Sequence, residues 1–381
     1  MTTWSVVKDD GGTQRRRFRL PRDLPRIALL ACLAAVVVSL GFVFVPGNPP
    51  KPAAPSVSER ARASALADAL SLRTRAEQLQ ATATEGSRAA DRKASPAAAG
   101  TAVQAAVTLL TTQARALLRP GPSPEASATA APATTAPATP APPTAARLAA
   151  DLASSGRQRL ADARTSDGGM ARLLASVGTA QLLQSSALAA AAGTRDPAAG
   201  FPEKATAEVP GPEVPAAGSC PPATGSPADG TPGPLAAGLP EALAAVMQAE
   251  LEAVYGYQVA LTRLDGAPAA AAKARLAHHE ALVTGADTLG RAQCAAVPPR
   301  EPGYALDQAF LASPGRGLAS LEAASLTAYG ELVALSEGPT RQWAVAGLLG
   351  AARRAAAWGA APGPFPGLAL DPASLPTLPP A

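Results

Sequence analysis

The sequence predicts an all-α protein: a single N-terminal transmembrane helix, then a helical ectodomain that ends in an antiparallel four-helix bundle. Three observations lead there. Aromatic residues make up only 3% of the 381 residues while alanine abounds, so the folded parts must be built from small-residue helices rather than around an aromatic core. Apolar residues recur at alternating steps of four and three in several stretches, the spacing of one buried helical stripe. Between those stretches the 40 prolines and 33 glycines gather in segments that neither helix nor ladder tolerates.

The chain opens on a basic tail, residues 1–26. It carries seven basic groups (Lys8, Arg15, Arg16, Arg17, Arg19, Arg22, Arg26) against three acidic ones (Asp9, Asp10, Asp23), a surplus equal to the whole chain's net +4. The remainder is therefore neutral overall and has no basic excess with which to neutralise phosphates, which argues against a nucleic-acid partner. IALLACLAAVVVSLGFVFV, Ile27 to Val45, follows as 19 residues without a charge. As a helix it spans roughly 28 Å, about the hydrocarbon thickness of a bilayer. Arginines before it and prolines after it predict a single-pass anchor with the N-terminus cytoplasmic and the rest extracytoplasmic. The alternative is export after signal cleavage: Arg15 to Leu20 (RRRFRL) partly matches a twin-arginine signal, and Leu29-Leu30-Ala31-Cys32 partly matches a lipoprotein box. Against it, the long apolar run lies after Cys32 rather than before it, and prolines crowd the exit.

Residues 56–193 read as a helical module. Ala65, Ala69, Leu72, Ala76 and Leu79 form one stripe, and further helices are expected at Ala97 to Leu118, Thr144 to Thr165 and Gly169 to Ala192. Pro120 to Thr144 interrupts it as a flexible Pro/Thr/Ala-rich linker, and residues 194–238 form a second Pro-rich linker. Residues 239–359 carry the clearest pattern. Leu243, Met247, Glu250, Val254, Tyr257, Leu261 and Leu264 keep an unbroken four-three spacing, so Glu250 falls where a core residue belongs. Gly266 and Pro268 separate this helix from the next, which runs to about Gln293 with Leu276, His279, Val283 and Ala286 on one side. A third helix, Gly317 to Ser336, aligns Leu318, Glu322, Ser325, Tyr329 and Leu332, and a fourth, Thr340 to Trp358, aligns Trp343, Gly347, Gly350 and Arg354. Residues 360–381 read as a Pro-rich tail.

Ala245 to Leu264 (AVMQAELEAVYGYQVALTRL), then ARLAHHEAL and LASLEAASLTAYGELV, resemble a ferritin-like domain family of unknown function, DUF4439-type, found in exported or membrane-attached proteins of high-GC Gram-positive bacteria. The resemblance implies a ferritin-like bundle, with residues 170–192 as a more degraded copy in which Gln181 and Gln184 stand where a ligand pair would be. A di-iron bundle takes a carboxylate from each of two helices and a Glu-x-x-His pair from each of the other two. Glu250 and Glu322 match the single carboxylates, but Leu276 stands three residues before His279, Arg275 three before His278, and the fourth helix offers Arg353 and Arg354. No complete site remains.

The expected use of these residues is a buried polar cluster of Glu250, His279, Glu322 and one of Arg353 and Arg354, the guanidinium supplying the positive charge that a metal would otherwise supply. A mononuclear metal site of Glu250, His279 and Glu322 is the weaker alternative. Adjacent helical residues point about 100° apart, so His278 and His279 do not converge on one ion. Tyr255, Tyr257, Trp343 and Trp358 read as packing. Of three cysteines, Cys32 belongs to the span, which leaves Cys220 and Cys294 as an expected disulfide in an oxidising compartment. No phosphate-cradling glycine loop, Cys-x-x-Cys or serine elbow is present. The sequence therefore predicts a non-enzymatic, membrane-anchored envelope protein without a cofactor, its partners the membrane and an envelope protein. The competing readings are a metal-binding or redox-active ferritin-like protein, and a carrier of an apolar ligand, which needs a sizeable cavity.

Overall fold

The computed structural model describes residues 54–89, 97–118, 144–200, 238–295 and 298–379, together with Leu29, Cys32 and Leu33. The basic tail 1–26, nearly all of the predicted span 27–45, and most of both Pro-rich linkers lie outside the described residues. Residues from Pro55 to Ala381 belong to one compact unit. Its described part holds nine α-helices and no strand: α1 (Val57–Ala89), α2 (Ala97–Leu117), α3 (Ala145–Ala163), α4 (Gly168–Ala191), α5 (Leu239–Leu261), α6 (Gly266–Ala292), α7 (Gln308–Ala312), α8 (Pro314–Leu335) and α9 (Gly338–Ala357). A 3-10 turn, Pro372–Ser374, follows.

The helices start and stop where side-chain chemistry lets them. Thr144 caps α3 by accepting from the Arg147 amide, and Asp167 caps α4 by accepting from the Met170 amide. The Asp167 amide in turn donates to Ser58 Oγ at 2.8 Å, tying that cap to the start of α1. At α5, Glu241 reaches back to the Gly238 amide at 3.0 Å. The connection after α6 departs from the sequence reading: it holds the short α7, capped by Asp307, and α8 begins at Pro314 rather than Gly317. Proline at a first helical position loses no hydrogen bond, which is why the helix starts there.

α1 to α4 pack as one four-helix group and α5, α6, α8 and α9 as another, and α4 also packs on α8 and α9. The two modules separated by composition are thus joined in one core. α4 explains the joining: it is apolar on most faces, so one neighbour cannot cover it. By length and composition α4 is also the one described helix able to cross a membrane, but 67% of its most apolar window is buried within the protein. Polar ties cross the same seam. Arg172 on α4 pairs with Glu331 on α8 at 2.5 Å, and Arg341 on α9 donates to the Ser166 carbonyl.

The segment read as a Pro-rich tail is part of the fold. Phe365 is buried, and the carbonyls of Pro364, Leu375 and Pro376 accept from Gln113 and Arg115 on α2. Where it crosses α8, a Cβ on Gly330 would stand 2.1 Å from the Gly367 carbonyl oxygen, so only glycine permits the approach. Composition marked this segment as tail, but one aromatic anchor and a row of free carbonyls dock it.

Candidate functional site

In the second helical group the expected stripes face one another. Leu318, Glu322, Tyr329 and Leu332 on α8 are buried, as are Trp343 and Arg354 on α9. On α5 the buried line drifts from Leu243, Met247 and Glu250 toward Ala253, Tyr257 and Ala260, because a straight helix turns 3.6 residues per turn and a four-three repeat assumes 3.5. Val254 and Leu261 move to the flank accordingly.

At the centre Glu250 (α5), His279 (α6), Glu322 (α8) and Arg354 (α9) come together, and none is more than 6% exposed. His279 Nδ1 lies 2.6 Å from Glu250 Oε2 and its Nε2 lies 3.0 Å from Glu322 Oε1. With a carboxylate oxygen on each ring nitrogen, both nitrogens have to donate, so the ring is an imidazolium. Arg354 Nε donates to both oxygens of Glu322 at 2.9 Å. The contact is one N–H split between two oxygens rather than two parallel bonds, and Nη2 is buried without a partner. Two tyrosines complete the shell: Tyr257 donates to Glu322 Oε1 at 2.7 Å and Tyr329 to Glu250 Oε1 at 2.8 Å. The Trp358 indole donates to Tyr257 Oη at 2.7 Å, and Arg275 lies over the Trp358 ring. All four carboxylate oxygens are satisfied, and two anions face two cations, so the buried cluster is neutral.

The two glutamate–tyrosine pairs are reciprocal. Tyr257 stands seven residues after Glu250 and Tyr329 seven after Glu322, and each tyrosine bonds the other helix's glutamate. Seven residues are two turns, about 10.5 Å, so antiparallel α5 and α8 place each tyrosine level with the opposite carboxylate. Sequence reasoning put both tyrosines on the stripe but took Tyr257 for packing. The paired E-x6-Y spacing was the available signal. Gly347 lets the arrangement close, since a Cβ there would meet the Tyr329 ring at 2.1 Å.

Arg353 is not in the cluster. Its Nη2 donates to the Ala198 carbonyl at 3.0 Å, one residue's rotation away from Arg354. His278 is half-buried, its ring centre 6.3 Å from that of His279, and it is His279 that bonds both carboxylates of the cluster. In the upstream group Gln181 donates to Gln113 at 3.0 Å while Gln184 turns to the Ala102 carbonyl at 2.8 Å, so the two glutamines do not act together. Cys294 is disulfide-bonded and Cys32 is free; Cys220 lies outside the described residues.

Burial by itself pushes His279 down, but the charge and hydrogen bond of Glu250, then those of Glu322, hold it at about 9 against an ordinary 6.5. Burial raises Glu322, and the Arg354 charge followed by His279 overrides it, bringing it to about 2. Tyr257 and Tyr329 are pushed up, first by burial and then by the neighbouring carboxylates, and stay protonated donors. A raised His279 stabilises the fold fully below 6.5 and loses that contribution as pH rises through about 9. A depressed Glu322 stabilises fully above 4.5 and loses its contribution as pH falls through about 2. The melting temperature should therefore be highest between about pH 4.5 and 6.5, falling on both sides. The alkaline limb should flatten in His279→Gln; a level wild-type profile through pH 9 contradicts the imidazolium.

A domain of unknown function, DUF4439, occupies residues 242–370. The DUF4439 domain thus runs from the first turn of α5 through α9 and into the docked C-terminal segment, and all four cluster residues and both tyrosines lie inside it. α1 to α4 lie outside it. No curated protein and no solved structure matches the chain.

The DUF4439 site does not fit a di-iron centre. Arg354 holds both oxygens of one carboxylate, the orphaned atom beside it is a donor rather than a ligand, and His279 offers no free lone pair. Among the described residues no group of three or more His, Cys, Asp and Glu stands in metal-holding geometry.

Proposed function

We propose that this chain is a membrane-anchored extracytoplasmic protein whose C-terminal domain is a ferritin-like bundle turned to structural use, serving as a non-enzymatic interaction module of the cell envelope. The observation that carries the reading is the closed Glu250–His279–Glu322–Arg354 cluster: a guanidinium and an imidazolium supply the positive charge, and every carboxylate oxygen is spoken for. Support for the ferritin-like assignment comes from two helix pairs joined by tight turns, one longer connection between α6 and α8, and carboxylates on α5 and α8 that meet a histidine on α6. Support for the anchor comes from the charge-free run Ile27 to Val45 behind a basic tail.

Elemental analysis of the intact purified protein tests the first half. The expected result is substoichiometric metal and a melting temperature unchanged by chelators. Stoichiometric iron, manganese or zinc with chelator-dependent stability would revive the metal-binding or redox-active reading. Protease added to spheroplasts tests the second half. It should remove a C-terminal tag and spare an N-terminal one, and the reverse pattern overturns the topology.

A further inference from the structure

Three side chains of the upstream helical group reach the backbone of the C-terminal segment. Gln113 on α2 donates to the Pro364 carbonyl at 3.2 Å, Arg115 on α2 donates to the Leu375 and Pro376 carbonyls at 2.6 and 2.8 Å, and Arg172 on α4 donates to the Gly367 carbonyl at 2.9 Å. The segment itself is thinly anchored. Phe365, Pro366 and Gly367 are buried, but no residue from 368 to 379 is. It leaves α9 through a pivot, since Gly359 and Gly363 hold φ at 95° and 75°, values that a side chain resists and glycine does not. α2 depends most on this contact. It packs chiefly on α1 and less on α4, and an open groove rather than packed side chains lies between it and the end of α9.

The α2–α4 contact is imperfect where the segment covers it. Gln113 and Gln181 are fully buried there, and Gln181 donates to Gln113 Oε1 at 3.0 Å. Gln113 divides its own amide between the Val177 carbonyl at 3.4 Å and the Pro364 carbonyl of the segment. Gln181 Oε1 is buried and has no donor among the described residues. A buried acceptor without a donor disfavours the closed contact, and water would satisfy it in an opened one. The contact is therefore held shut partly from outside, by the segment's carbonyl on Gln113.

We infer that residues 360–379 are a releasable latch, which clamps α2 onto α4 and whose withdrawal opens the Gln113–Gln181 contact to water. Side-chain donors on backbone carbonyls form and break without repacking a core, and a single aromatic residue, Phe365, sets the closed position. The latch gives the joined fold a conformational step of its own. It stands apart from the polar cluster of the DUF4439 domain, from the metal question and from the anchor.

Hydrogen exchange of the full-length protein, read by mass spectrometry, tests the latch. In the wild type the amides of α2 should exchange as one unit and about tenfold faster than those of α5, because they open without global unfolding. Phe365→Ala should speed exchange in α2 by about another tenfold and leave α5 within about twofold of the wild type. Arg115→Ala, at a half-buried position outside the core, repeats the test where the first variant fails to fold, and its acceleration should again be confined to α2 and the facing part of α4. Equal exchange in α2 and α5 of the wild type, no acceleration of α2 in the variants, or acceleration that spreads equally to α5 and α8 overturns the inference. The segment would then be a fixed part of one cooperative core.

Discussion

Replacing Glu322 by alanine should destabilise the folded chain by about 3–5 kcal/mol, the cost of stripping one partner from a buried ion pair. Glu322 accepts from Tyr257, His279 and Arg354 at once, more partners than any other cluster residue has. Without it an imidazolium and a guanidinium face one carboxylate in a site sealed from water, and Arg354 loses its ion-pair partner. Truncation also leaves the Tyr257 hydroxyl buried with an unmade bond. Unfolding in urea, followed by fluorescence of Trp343 and Trp358, measures the loss. Glu252→Ala is the control, since among the described residues that partly buried carboxylate bonds only Gln248 one turn away and should cost less than about 0.5 kcal/mol. A loss under about 1 kcal/mol for Glu322→Ala would mean that the cluster is hydrated and not the closed, low-dielectric site argued above. Glu322→Gln, which keeps the shape and removes the charge, should fall between the two.

Much of this site was legible because a carboxylate on an apolar stripe is conspicuous. Glu250 and Glu322 each occupy a position that the surrounding leucines and tyrosines mark as core, and His279 falls on the same side as Val283 and Ala286. The choice between Arg353 and Arg354 stayed open because one residue is a 100° turn and both sit at the end of the stripe, where register has drifted most. What the sequence hid was partnership rather than position. Whether a stripe tyrosine packs or donates depends on what stands opposite it, and the antiparallel pairing that sets Tyr257 against Glu322 and Tyr329 against Glu250 exists only in three dimensions. The same holds for the joining of the two helical groups. A Pro-rich stretch separates them along the chain, and only the nearly all-round apolarity of α4 hinted that it needed covering on a second side.

Replacing Arg354 by alanine should cost a similar 3–5 kcal/mol, but with an opposite charge left behind and hence a different pH signature. The cluster would then hold two carboxylates against one imidazolium, a buried net negative charge. The strongest influence lowering Glu322 in the wild type is the Arg354 charge, so its removal shifts that carboxyl upward from its wild-type position, while His279 and Tyr257 still hold it down. A smaller depression below the unfolded 4.5 means that less stability is present above that value and less is left to lose as pH falls. From pH 4.5 toward 2 the variant, less stable throughout, should lose stability less steeply than the wild type does over the same range. A vacated cation site also becomes a place where an ion competes, because Glu322 regains free oxygen lone pairs and His279, once deprotonated, a nitrogen. Zinc or manganese should therefore raise the melting temperature of Arg354→Ala and leave the wild type unmoved. If the ions stabilise both proteins equally, the guanidinium is not standing where a metal would, and the proposed exchange of ion for arginine is wrong.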